Sequence, residues 1–308
     1  AWGREDAVRD YAGFLGLFFI AAGVFVATFV VAGTALQELT VLVSQALGNA
    51  VLAGVLTEAM RLFAAALAVA AVCRLVLATG WVNRAMVAET YVEPVREFFR
   101  RYGGKVALLL LALVGLYRIS DIVLGVISNV FYQDLDFTKA QIATVVKSFG
   151  LAMTILGGFL GGVLSVRYGV MRILFVGALL TVLTNLLFIA LAVTGNNELL
   201  LYAVISADNL TAGLASAAFI AFLSSLTNVR FTAVQYAIFS SLMTLLPKVI
   251  GGYSGTMVDS FGYVNFFILA AGLGVPVLVL VWVAGKHLQL SPPPPDSEPA
   301  VGTGTGKE

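Results

Sequence analysis

The chain has 308 residues, 60% apolar and only 11% charged, with a mean hydropathy of +0.97. Soluble globular domains are about 45–50% apolar and about 25% charged, so an ordinary soluble enzyme, a nucleic-acid binder and a disordered protein are excluded, and the solvent of this chain is mostly lipid. The net charge is +1, and one cysteine (Cys73) and one histidine (His287) exclude a disulfide scaffold, a multi-cysteine metal site and a two-histidine metal pair.

Residue 1 is Ala and not Met, which reads as a processed chain or a piece of a longer one. The first apolar run, Tyr11–Leu36, is too long for a signal-peptide core and lacks a cleavage site in the usual place, so it reads as a membrane span. Leu39–Leu56 is apolar but broken by Ser44, Gln45, Gly48 and Asn49; it reads as a third span or a helix lying in the interface, and the roughly helical spacing of the polar residues favours the interface. Leu62–Gly80 reads as a second span. Residues 1–83 thus form an extra hydrophobic region of two spans plus an interfacial helix. Residues 84–104 form a basic linker (VAETYVEPVREFFRRY over 87–102) with a short amphipathic helix starting near Pro94.

Six further runs follow: Lys105–Phe131, Ala140–Leu164, Met171–Thr194, Leu199–Leu226, Thr232–Met257 and Phe261–Gly285. Each has the roughly 20 apolar residues that a spanning helix needs, and short connections make neighbours antiparallel. The fold class is therefore all-α integral membrane, a six-helix bundle over 105–286 preceded by about two extra transmembrane helices. The Pro/Gly-rich residues 287–308 read as a disordered cytoplasmic tail. Arg84, Arg96, Arg100, Arg101 and Lys105 precede the bundle, and Arg167, Arg172, Arg230 and Lys286 fall in alternate connections, while the opposite loops carry only Lys139. Lys/Arg excess marks the cytoplasmic side, which places the linker and the C-terminus in the cytoplasm.

No H-E-x-x-H, G-x-S-x-G, Walker loop or G-x-G-x-x-G occurs, so no catalytic, cofactor or metal site is expected. The chemistry lies in charges inside spans: Arg118, Asp121, Lys147, Asp208 and Lys248. Each costs at least about 2.5–3.5 kcal/mol facing lipid at the bilayer centre, so they are expected to face the bundle interior or a wet cavity. At 1.5 Å per residue Asp121 lies ~15 Å from the outer end of its helix, Lys147 ~10 Å, Asp208 ~13 Å and Lys248 ~13 Å, with Arg118 a turn deeper. With Asn209, these residues are the expected substrate and proton pathway. The competing reading is structural ion pairs that lock helices together. Gly157, Gly158, Gly161 and Gly162 repeat at four-residue spacing, as do Gly251 and Gly255, which lets helix backbones approach closely.

The stretch Gly162-Val-Leu-Ser-Val-Arg-Tyr-Gly-Val-Met-Arg172 resembles the loop motif of the major facilitator superfamily, G-x-L-x-D-R-x-G followed by basic residues. Gly162, Leu164, Arg167, Gly169 and Arg172 fit, while Val166 stands where that motif has its Asp. From Val92 to about Val283 the chain is similar to the C-terminal half of AmpG-type muropeptide permeases of that superfamily, carried by EPVREFFRRYG (93–103), YRISDIVLGVISNVFY (117–132), ADNLTAGLASAAFIAFLSSLTNVRFTAVQYAIFSSL (207–242) and LLPKVIGGYSGTMVDSFGYVNFF (245–267). The resemblance implies a bacterial inner-membrane, proton-driven importer of anhydro-muropeptides (peptides on linked GlcNAc and anhydro-MurNAc) for peptidoglycan recycling, with substrate held between two six-helix bundles. Its expected partners are the muropeptide, protons, the lipid bilayer and the N-terminal six-helix half, which this sequence lacks. Other readings are a carrier of another solute (a peptide or an acetyl-CoA-like molecule), a non-transporting scaffold or sensor, and a membrane-embedded enzyme.

Overall fold

In lipid, each backbone N–H and C=O must find its partner within its own segment, so long apolar runs fold as helices. A computed structural model describes residues 4–289. Among them eight helical segments are long and apolar enough to cross a membrane, and no strand occurs. The protein is an all-α, multi-pass membrane protein. Of the tail 287–308, His287 and Leu288 continue the last helix, and the stretch from 290 onward lies outside the described residues.

The extra region is α1 (Arg4–Ala35), α2 (Gln37–Leu47) and α3 (Ala50–Ala78). At 11 residues α2 is about 16 Å long, too short to cross. The second long helix begins at Ala50 and not at Leu62, so residues 50–56 belong to it and not to an interfacial helix. Two local features explain the difference. Asn49 caps α3, its side chain accepting from the Leu52 N–H at 3.0 Å. Glu58 and Arg61, which interrupt the apolar run, pair with each other one turn apart and enter the helix as a neutral unit.

Next come α4 (Arg84–Val87), a π-helical turn over Ala88–Val92 and α5 (Glu93–Tyr102). The first span of the bundle is divided into α6 (Gly104–Leu116) and α7 (Ile119–Asp134). The second starts at α8 (Lys139–Gln141), passes through a π-helix (Ile142–Phe149) and continues as α9 (Gly150–Tyr168). Then follow α10 (Val170–Thr194), α11 (Glu198–Leu226) and α12 (Thr232–Gly251). α13 (Ser254–Gln289) is two helices joined at Gly262, where φ 75° and ψ 166° break the helical path. Only glycine adopts that conformation without strain. Residues 254–261 therefore extend the path of α12 beyond the Gly252–Tyr253 turn, and the stretch after Gly262 is the return span. Ser254 fixes this geometry by donating to the Val123 carbonyl of α7 at 2.9 Å.

The ends lie on two sides. The side with 79–103, Gly169, 227–231 and the end of α13 is called the basic side here, and the other the far side. In the bundle α9 packs along α11, and α10 along α11 and α13. Toward the far side Phe131, Phe188 and Phe267 cluster, with Phe131 and Phe267 edge to face and their centroids 4.8 Å apart.

On the basic side α5 is strapped to α12 through one carboxylate. Glu97 accepts from Arg101 at 2.8 Å, Asn228 Nδ2 at 2.9 Å and Gln235 Nε2 at 2.8 Å. Gln235 also donates to the Pro94 carbonyl at 2.9 Å, and its oxygen accepts from the Asn228 N–H at 2.7 Å. Burial pushes the Glu97 carboxyl up, but the three donated hydrogen bonds and the Arg101 charge outweigh it and hold the group below its ordinary 4.5. A carboxyl held low in the fold adds stability above its unfolded pKa and loses it as pH falls through the folded value. Glu97→Ala strands buried donors and is expected to cost about 1–3 kcal/mol at neutral pH. In thermal melts in detergent, the gap between wild type and Glu97→Gln is expected to be full above pH 4.5 and to shrink below it.

Candidate functional site

The helix path breaks where the first membrane-embedded charge stands. α6 ends at Leu116, and Arg118 (φ −96°, ψ 9°) precedes α7 as its N-cap residue. Asp121 sits in the first turn of α7, where the helix dipole favours a carboxylate, and pairs with Arg118 through Nη2 and Oδ2. Arg118 Nη1 also donates to Ser216 Oγ of α11 at 2.7 Å. The break thus frees a guanidinium to bridge two helices.

Eight residues before Ser216 along α11, toward the far side, is Asp208. It lies within electrostatic reach of Asp121 and of Tyr132 of α7, with the Thr184 hydroxyl of α10 beside it. α7 with its N-cap residue and α11 thus supply two carboxylates and one guanidinium, a cluster of summed charge −1, to which α10 adds the Thr184 hydroxyl. Next to it Asn185 donates to Ser120 Oγ at 2.6 Å, and Ser120 donates to the Ala270 carbonyl at 2.5 Å. Asn185 Oδ1 is buried without a donor among the described residues. A buried acceptor of this kind is a place for a water or an O–H to bind. Ser120, Thr184 and Asn185 were not singled out from the sequence. Their signal was adjacent polar residues, Thr184 and Asn185, near the middle of α10.

The other residues go elsewhere. Asn209 accepts from Thr154 of α9 at 3.0 Å and donates to the Ile205 carbonyl at 3.1 Å, which ties α9 to α11. Lys147 is exposed in the π-helix, and Lys248 is exposed on α12, facing α3. Neither is in an ion pair among the described residues. The four charges therefore do not form one belt. Depth along a helix sets height, while the direction a side chain faces follows from helix phase. The π-helix beneath Lys147 shifts that phase.

The 162–172 stretch turns between α9 and α10 on the basic side. Gly169 stands at φ 92°, ending one helix and starting the next, a conformation that requires glycine. Arg167 and Arg172 are exposed there, and a Cβ at Gly162 would meet open space. Val166 is 90% exposed, so no neighbour waits for the carboxylate that the motif has at that position.

Residues 108–306, more than half of the chain, match the family described as the Major Facilitator Superfamily. A "Putative transporter AmpG 1" of Rickettsia felis is 34% identical over 59% of this chain and 41% of its own length. An "Uncharacterized protein" of Haemophilus influenzae is 37% identical over 62% of this chain and 47% of its own. The "Anhydromuropeptide permease" of Escherichia coli K12 is 29% identical over 65% of this chain and 40% of its own. The chain spans less than half the length of each of these relatives. Their matched share agrees with the resemblance to AmpG-type permeases read over Val92–Val283.

Proposed function

This chain belongs to the major facilitator superfamily, and we propose that it is the C-terminal part of a bacterial inner-membrane importer that moves anhydro-muropeptides inward with protons, its basic side in the cytoplasm. The relatives named AmpG and anhydromuropeptide permease support the substrate class. The observation that carries the coupling half of this reading is the cluster of Arg118, Asp121 and Asp208 between α7, α10 and α11.

Arg118 neutralises Asp121, and Asp208 is the charge left over. Contact with water from the far side favours the Asp208 anion, and occlusion favours the neutral acid. A proton taken up at Asp208 makes the whole cluster neutral, so the site can close against lipid and protein without a stranded charge. The N-terminal six-helix half supplies the opposite wall of the substrate cavity, and rocking of one half against the other exposes the cluster to each side in turn. Peptidoglycan recycling is the process such a flux feeds.

The test uses the complete protein in cells or proteoliposomes and follows uptake of labelled GlcNAc-anhydro-MurNAc peptide. Asp208→Asn is expected to lower proton-driven accumulation at least about tenfold, the scale on which removing one positioned proton carrier acts, while exchange without a gradient continues. Unchanged accumulation removes Asp208 from coupling. Competition by peptides or by acetyl-CoA in place of muropeptides redirects the substrate reading. A wild type without gradient-driven flux leaves the scaffold reading.

A further inference from the structure

The accessory helices meet the bundle along the start of α3, which contacts α12 and α13, and part from it beyond. Near the level of Val123 of α7, a Cβ on Gly54 of α3 would lie 2.1 Å from the Tyr253 ring, so α3 and the 252–253 turn are in direct contact. Toward the basic side a cleft of about 700 Å³ opens between α1, α3 and α12. That size lies within the roughly 300–1,000 Å³ of small-molecule sites. Phe29, Glu58 and Leu62 line one wall, and Ser241, Leu245 and Lys248 the other.

The charges of the cleft do not balance. Glu58 pairs with Arg61. Arg61 also donates to the Phe29 carbonyl at 3.1 Å and lies 4.0 Å over the Phe29 ring, so its position is fixed. Lys248 has no hydrogen bond or ion pair among the described residues, and the cleft is left with one uncompensated positive charge. Its level in the membrane is given by Glu58, eight residues from the start of α3 and so about 12 Å inside. Lipid phosphates lie at the headgroup level, well above this point. A lone inorganic anion leaves most of the volume and all of the apolar lining unused.

We propose that this cleft binds a peptide-sized solute by its carboxylate, with the Lys248 ammonium as the anchor and the accessory hairpin as the second wall. The hydroxyl of Ser241 and the apolar Leu245, Leu62 and Phe29 suit a body of mixed polarity next to that carboxylate. The proposal goes beyond the transport reading, because occupancy of this cleft is measured without flux. It also gives the extra helices a role in recognition, with Glu58 setting how strongly the cleft attracts an anion.

The experiment is equilibrium binding of tritiated N-acetyl-trialanine, and of the same peptide as its C-terminal amide, to the purified full-length protein in lipid nanodiscs. The acid is expected to bind saturably, and the amide at least tenfold more weakly. Lys248→Gln is expected to weaken the acid at least tenfold and leave the amide unchanged, and Lys248→Arg to keep most of the binding. Glu58→Gln removes the charge that offsets Arg61 and is expected to tighten the acid several-fold, which supports the proposal even where Lys248→Gln does not fold. No saturable binding of the acid, equal binding of acid and amide, unchanged binding in Lys248→Gln, or unchanged or weaker binding in Glu58→Gln each overturns it. Binding that persists in a protein without gradient-driven flux keeps this site and discards the transport reading.

Discussion

Gly157→Ala is expected to be the most damaging single-methyl change in the bundle. A Cβ at Gly157 would lie 2.0 Å from the Leu210 carbonyl oxygen of α11 and 2.8 Å from its carbonyl carbon. The obstacle is backbone, which has no alternative rotamer. Gly161 meets the Leu214 carbonyl oxygen at 2.5 Å, and from the other helix Gly213 meets the Thr154 carbonyl oxygen at 2.1 Å. Three glycines on two helices thus share one seam, along which α9 and α11 are in main-chain contact. Lipid offers helices no hydrophobic drive to associate, so close packing of this kind is what holds such a pair.

Forcing atoms into a packed interior costs about 1–3 kcal/mol where side chains can give way, and here the loss is expected at or above the top of that range. The sequence repeat contains its own controls. A Cβ at Gly158 would come no closer than 3.9 Å to the Gly213 carbonyl, and one at Gly162 meets nothing. Gly162→Ala is expected to be neutral or to gain up to about 1 kcal/mol from helix propensity. Thermal midpoints and monodisperse yield in detergent measure both changes. Equal losses at Gly157 and Gly162 sink the argument that main-chain contact, and not the glycine repeat as such, holds the seam.

The same four glycines show how far a linear sequence can be read. Their four-residue spacing announces a helix face made for close approach. Which two of the four carry it depends on the direction of α11, and no spacing within α9 contains that. The spans follow a similar rule. Apolar length alone placed the six bundle segments, because lipid leaves the backbone few alternatives to a helix. It misplaced the start of α3 by twelve residues, from Leu62 to Ala50, because hydropathy treats Glu58 and Arg61 as two charges where the structure makes them one neutral pair.

For the candidate site, Arg118 and Asp121 were legible as partners through their three-residue spacing. Asp208 was legible as a charge that has to face inward. Lys147 and Lys248 had similar depths and different bearings. The π-helix beneath Lys147 and the Gly252–Tyr253 turn after Lys248 are backbone irregularities with no periodic signature in the chain. The charge balance of the cleft beside Lys248 was hidden for a further reason. It needs Glu58 and Lys248 on one cavity, residues 190 positions apart that face each other only once the accessory hairpin has docked.

Arg118→Met is expected to cost about 2–3 kcal/mol, below the ~3–5 kcal/mol seen when one partner of a fully buried ion pair is removed, because the two side chains are 27% and 26% exposed. The reason here is more than a lost contact. Without the guanidinium, Asp121 and Asp208 remain as two carboxylates in reach of each other with no cation between them. Like charges in one low-dielectric site cannot both stay ionised. Ser216 also loses the donor at 2.7 Å that ties α11 to the α6–α7 break. Asp121→Asn leaves Arg118 its hydrogen bond to Ser216, so it is expected to cost less. Arg118→Met/Asp121→Asn removes the pair together and is expected to recover much of the stability, with a coupling energy of about 0.5–3 kcal/mol in the double-mutant cycle. Flux is expected to follow the same order. The double variant removes one positive and one negative charge and keeps Asp208, so protonation of Asp208 still takes the site from −1 to neutral, and accumulation against a proton gradient is expected to return with the fold. Denaturation in detergent and proteoliposome uptake, run on the same four proteins, separate the two effects. Additive losses in stability mean that Arg118 and Asp121 do not act as a pair, and a folded double variant that fails to accumulate substrate means that Asp208 does not carry the proton by itself.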